Sequence, residues 1–219
     1  MPNKQVFLCE DSLEGIFTTI YNAFESRRDH NENQIMIEDF SYNQELFCEY
    51  VTVTTDYTKA VKVAKTIQSK VSQQFYLFIQ KTSASYQIEK ADAIYRTIIL
   101  ALKMGDAVLN NLAEPNVHKL FEIERNINNE IMHYNGFTRF EELENGVLFS
   151  KINPKNNILP YLAEHFSDRF SGENWILCDT NRDDVMIHTK NKGCIYAKLQ
   201  DMKAEGFSLK YSKQEEAMQ

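Results

Sequence analysis

The chain has 219 residues, 43% of them apolar and 25% charged, enough to bury a sizeable core and unlike the composition of a disordered segment. Its net charge of −7 excludes generic, charge-driven adhesion to DNA or RNA. The opening MPNKQVFLCEDS lacks the apolar stretch of a secretory signal and no later run reaches bilayer-spanning length, so a cytoplasmic protein without membrane association is expected.

In chain order, residues 6–9 read as a short buried strand. Asp11 is placed to cap a helix, with Glu14 three residues on, and the helix is expected to reach about Arg28 with Leu13, Phe17, Ile20, Tyr21 and Phe24 on one face. Its acidic start makes it a poor phosphate cradle. After a polar turn at 31–33, residues 35–37 and 47–54 read as strands. Asp56 opens a helix to about Gln73, with Ala60, Val63, Ala64, Ile67 and Val71 on one side and Lys59, Lys62 and Lys65 on the other.

Ile88, Ala91, Tyr95, Ile98, Ile99 and Leu102 recur at helical spacing up to Gly105. Pro115 suits the first turn of another helix, burying Val117, Leu120, Phe121, Ile127 and Ile131 and closing at Asn135-Gly136. The period then changes. Residues 137–143 and 147–152 flank Glu144-Asn145-Gly146 as a hairpin, and Pro160 marks a short helix to about Phe170. Residues 175–179, 184–189 and 194–199 read as strands, and the polar tail 201–219 carries Phe207 and Leu209 as docking candidates. The expected class is α+β: an N-terminal strand–helix–strand segment, central helices, and a C-terminal, mainly antiparallel sheet with a short helix. A single domain over 1–200 is expected, in one body or as lobes 1–85 and 86–200.

Chemistry-bearing motifs are sparse. The cysteines (Cys9, Cys48, Cys178, Cys194) lack metal-site spacing and are expected as reduced, buried thiols, with no metal site and no cofactor. Seven glycines are too few and too spread for a phosphate loop, and no serine sits in a nucleophile elbow. Charge is uneven, however. Residues 57–88 contain no Asp or Glu but include Lys59, Lys62, Lys65, Lys70 and Lys81; residues 185–200 are again free of acids and carry His188, Lys190, Lys192 and Lys198. Such a surface on an acidic protein holds a polyanion or is simply solvated.

The most distinctive stretch is GFTRFEELENGVLFSKINPKNNILPYLAEHFSDRFSGENWILCDT, residues 136–180. Together with FLCEDSLEGIFTTIYNAFESR and EPNVHKLFEIERNINNE, it resembles a family assigned to DNA repair or DNA metabolism through its association with a radical S-adenosylmethionine protein, with related domains fused to uracil-DNA glycosylases. The resemblance implies a companion of that radical enzyme. The chain has no Cys-x-x-x-Cys-x-x-Cys of its own, and it departs from the family pattern at Glu10-Asp11 and at Met132-His133-Tyr134.

Several side chains can be weighed as sites. His165 and Arg169 share a helix face, where an anion between them or the helix dipole would account for both. Asp179 is placed either to orient His165 as an acid–base pair or to cap a turn before Asn181. Arg139 alternates with Phe137 and Phe140 and is expected to meet Asp179 or a phosphate. Glu130 with His133, and His118 with Glu122, are further helical pairs, and Arg125 is expected in a structural ion pair.

The leading expectation is an accessory nucleic-acid-binding protein working with a radical S-adenosylmethionine enzyme, with Lys59, Lys62 and Lys65 on the backbone and the His165, Arg169 and Arg139 region contacting the lesion or the partner. The alternatives are an enzyme acting on a damaged base or nucleotide through His165 and Asp179, and a pure protein-interaction module.

Overall fold

The computed structural model describes residues 4–38 and 45–204, the last three as backbone only, so the expectations for Phe207 and Leu209 lie outside the described residues. The chain divides into two compact units, Met1–Ile127 and Asn128–Gln219, later than the 85/86 boundary expected for two lobes.

Unit 1 is built on a parallel three-stranded sheet. Strand β1 (Lys4–Cys9) lies between β2 (Asn33–Ile37) and β3 (Cys48–Val53). Helix α1 (Leu13–Glu25) links β1 to β2 and buries Ile16, Phe17, Ile20 and Ala23. Its cap is Ser12, whose hydroxyl accepts from the Gly15 amide at 2.9 Å; the expected capping residue Asp11 instead pairs with Lys90 at 2.5 Å. Gly15 fits where a Cβ would meet the Glu10 carbonyl at 2.6 Å, so only glycine allows the helix to start this close to the strand. Helix α2 (Tyr57–Lys70) is capped by Asp56, as expected, with its carboxylate accepting from Thr58 and Lys59 amides.

Ser72 then caps α3 (Gln73–Ser83), a helix not anticipated from the sequence, which buries Phe75, Phe78 and Ile79. Helix α4 (Lys90–Met104) supplies Ile94, Tyr95, Ile98 and Ala101 to the core. Helix α5 (Pro115–Phe137) buries Val117, Leu120, Ile123 and Ile127, and runs on past the expected stop at Gly136, which sits inside it.

Unit 2 holds a five-stranded mixed sheet in the order β4-β5-β6-β7-β8. The strands are β4 (Glu141–Glu142), β5 (Leu148–Ile152), β6 (Trp175–Asp179), β7 (Asp184–Thr189) and β8 (Gly193–Lys198), and only the β5–β6 pair is parallel. The β4–β5 hairpin turns at Gly146, whose φ of +76° a side chain would strain, but β4 is far shorter than the expected 137–143. Every residue of β6 is buried, because both faces are covered. On one face Ile176 and Cys178 join Leu143, Phe149 and Val185. On the other, Trp175 meets Phe166 of α6 (Leu159–Arg169), with Phe140 edge-on to both and Phe170 stacked on Phe166. The two fully buried rings, Trp175 and Phe166, each contribute about 2–3 kcal/mol by area. A last helix, α7 (Leu199–Ala204), follows β8. Among the described residues, no helix is long and apolar enough to cross a membrane.

Candidate nucleic-acid interface

The three residues between α5 and β4 send adjacent side chains into different surroundings. Phe140 turns into the aromatic core against Phe166, Phe170 and Trp175, while its neighbour Arg139 stays exposed. Arg139 thereby lines a cleft of about 520 Å³ in unit 2 with His133, Tyr134, Phe137 and Thr138 from the end of α5 and Phe149–Asn153 around β5. That volume falls in the range of small-ligand sites, about 300–1,000 Å³.

The cleft combines ring faces with positive charge. His133 and Phe137, one helical turn apart, lie 4.8 Å apart between centroids with their ring planes tilted by 36°, and Phe137 is 69% exposed. Lys151 places its ammonium 5.7 Å from the Phe149 ring centroid. Among the described residues neither Arg139 nor Lys151 forms an ion pair, and Glu141 is the one carboxylate lining the cleft. Tyr134 donates to Asn153 Oδ1 at 3.3 Å, and burial holds its phenol above the usual range. The Thr138 hydroxyl oxygen is buried without a partner.

A second cleft, about 740 Å³, lies in unit 1 around Arg28, His30, Arg96 and Lys103. Its cations are largely committed. Arg96 holds Asp92 and the carbonyls of His30 and Asn33, and Arg28 holds Glu49. His30 hydrogen-bonds the Tyr95 hydroxyl at 2.7 Å; burial lowers its pKa, with the charges of Lys103 and Arg96 acting the same way and Asp29 opposing. The C-terminal ends of β1 and β3, where open parallel sheets place ligands, are likewise self-satisfied: Thr55 donates to Glu10 at 2.6 Å, and Asp11 holds the buried Lys90. Among the described residues, the unit 1 cleft keeps one cation outside an ion pair, Lys103, against two, Arg139 and Lys151, in the unit 2 cleft.

The other expected residues are placed as follows. Asp179 is fully buried; its oxygens accept from the Asn181 amide at 2.9 Å and from Arg182 at 3.0 Å. Of the two roles open to Asp179, it takes the turn cap before Asn181, and among the described residues it makes no hydrogen bond to His165. His165 meets the Phe166 ring at 5.0 Å, with a buried, unpartnered Nε2. Arg169 lies over Phe170 at 5.4 Å and is exposed. Lys59 is held by Asn22 at 2.7 Å and Glu25 at 3.3 Å; Lys59 and Lys62 both sit over Tyr21, at 5.1 and 5.4 Å, and Lys62 and Lys65 are exposed on the outer face of α2. Glu130 is occupied by the backbone after β5 instead of by His133. His118 and Glu122 form a surface pair at 3.7 Å, while Arg125 makes no ion pair among the described residues. All four cysteines are free, and Cys194 is exposed against the expectation of burial because it lies on edge strand β8.

Fold and cleft together define an α+β protein with a basic, aromatic cleft. The chain belongs to the DUF4130 family, a domain of unknown function, whose model matches residues 88–219 and so takes in the whole cleft. No curated protein matches it. A solved structure described as the DHH domain of a member of a family of ribosomal proteins is similar over 87% of this chain and 74% of that chain, at 7% identity and a TM-score of 0.44, a likeness too loose to carry an argument.

Proposed function

We propose that the protein is a cytoplasmic, nucleic-acid-binding accessory factor in DNA repair or DNA metabolism, acting beside a radical S-adenosylmethionine enzyme. One observation carries the binding: Arg139 and Lys151, free of ion pairs among the described residues, line the same cleft as the exposed Phe137 ring. Cations in a groove track phosphates, and exposed rings accept bases. Lys62 and Lys65 on α2 offer a further phosphate contact in unit 1, which suits a protein whose overall charge is −7 and whose binding must be local. The radical-enzyme partnership is supported by the resemblance of residues 136–180 and of the two upstream blocks.

Fluorescence anisotropy with single- and double-stranded DNA at low and moderate salt tests the binding, and co-purification with a radical S-adenosylmethionine protein tests the partnership. Measurable affinity that weakens with salt, and weakens again in Arg139→Glu/Lys151→Glu, is expected. Absence of binding in low salt rejects the reading.

A further inference from the structure

We infer that the unit 2 cleft takes one unstacked base of a single-stranded nucleic acid, with Phe137 as the stacking surface and Arg139 and Lys151 holding the adjoining phosphates. The inference rests on the nucleic-acid reading above and narrows it to a substrate class.

Ring exposure is the first ground. Phe137 is 69% exposed at the end of a 23-residue helix, and its ring neighbour among the described residues is His133, at 4.8 Å and tilted by 36°. An uncovered phenyl face costs free energy in water, and a base covering it recovers part of that cost. A base inside a duplex already has both faces covered, so only an unstacked one can be accepted without opening the helix.

Concavity and donors are the second ground. A site of about 520 Å³ holds a single ring system with its sugar, whereas a paired duplex segment would need an open, flat surface. Thr138, Ser150 and Asn153 line the same cleft and make its wall partly polar. Positive charge there comes from two side chains, against one carboxylate at Glu141. That charge is enough to fix one or two phosphates and too little to hold a long duplex, whose affinity scales with the number of neutralised phosphates.

The test measures anisotropy of the full chain with three probes: a short single strand carrying 2-aminopurine, the same strand in a perfect duplex, and the single strand with an abasic position. The single strand is expected to bind at least roughly tenfold tighter than the duplex, with 2-aminopurine emission changing on binding. Phe137→Ala should weaken the single strand by roughly tenfold or more and abolish the emission change, consistent with about 1–3 kcal/mol per stacked base. Phe137→Trp should restore both. Because Phe137 is exposed, its replacement leaves the fold intact, which circular dichroism checks. Equal affinity for single strand and duplex, with Phe137→Ala indifferent, overturns the stacking inference while leaving backbone binding in place. Binding to no probe removes both.

Discussion

Glu130 and Asn156 are joined twice: one carboxylate oxygen of Glu130 accepts both the backbone amide of Asn156 at 3.0 Å and its side-chain amide at 2.6 Å. The other oxygen accepts from the Lys155 amide at 2.7 Å. One acidic side chain on α5 thus ties down the loop after β5, next to Asn153 of the cleft.

Glu130→Ala should destabilise unit 2 by about 2–4 kcal/mol, because charge-assisted bonds are lost and amide donors are left without their acceptor. Glu130→Gln, which keeps shape and one acceptor, should cost less. Urea denaturation followed by Trp175 fluorescence reads the difference.

Lys90 is 2% exposed and its ammonium is held by the Ser85 carbonyl and by Asp11, itself half exposed. Removing the acid leaves a positive charge in a dry site, whereas removing the lysine leaves an acid that water can reach. Asp11→Ala should therefore cost about 2–4 kcal/mol and Lys90→Met less, with the double variant closer to Lys90→Met. An Asp11→Ala midpoint at or above that of Lys90→Met would falsify the assignment.

Asp179, which the enzyme alternative pairs with His165, is fully buried and pairs with the partly exposed Arg182. Arg182→Met should cost about 3–5 kcal/mol by stranding a carboxylate that is fully buried, while Asp179→Asn costs less. His165→Ala, whose Nε2 has no partner to lose, should change stability by about 1 kcal/mol or less and leave DNA binding intact.

Two groups set opposite pH limbs. Burial pushes the Cys9 thiol up from 9.0 to about 12, so the unfolded chain gives up this proton first as pH rises. Stability from Cys9 is complete below pH 9 and declines between 9 and 12. His30 is shifted down from 6.5, so its contribution is present above that pH and is lost as pH falls further. Cys9→Ala should flatten the alkaline limb of a denaturation midpoint profile, and His30→Gln the acid limb. At pH 8, thiol alkylation should modify exposed Cys194 and spare Cys9.

The α2 lysines are unequal. Lys59 is tethered to Glu25 and Asn22, so Lys62→Glu/Lys65→Glu should lower DNA affinity more than Lys59→Gln does. The salt slope of binding should fall by about one per lysine contact, evenly across sequences. An unchanged slope would remove α2 from the interface.

Local chemistry made much of the fold legible. Asp56 caps its helix, Pro160 lies in the first turn of α6, Gly146 turns the hairpin, and the largely apolar β6 is buried on both faces. Each signal acts over a few residues, so it survives in the linear chain. Helix α3 was lost because its Phe75, Phe78 and Ile79 continue the apolar run of α2, and only the Ser72 cap marks the break. The cap at α1 was misassigned to Asp11 because its partner, Lys90, is 79 positions away.

For the site, sequence determined the ingredients: Arg139 beside Phe140, and His133 one turn before Phe137. Tertiary structure decided their use. It brought Lys151 and Asn153 of β5 and its following loop against the end of α5, and gave Asp179 to Arg182 instead of His165. Helical and strand periods come from short-range sterics and burial, which composition and spacing encode directly. Which cation keeps an acid, and which is left open to a ligand, depends on contacts between distant segments that exist only once the sheet has paired.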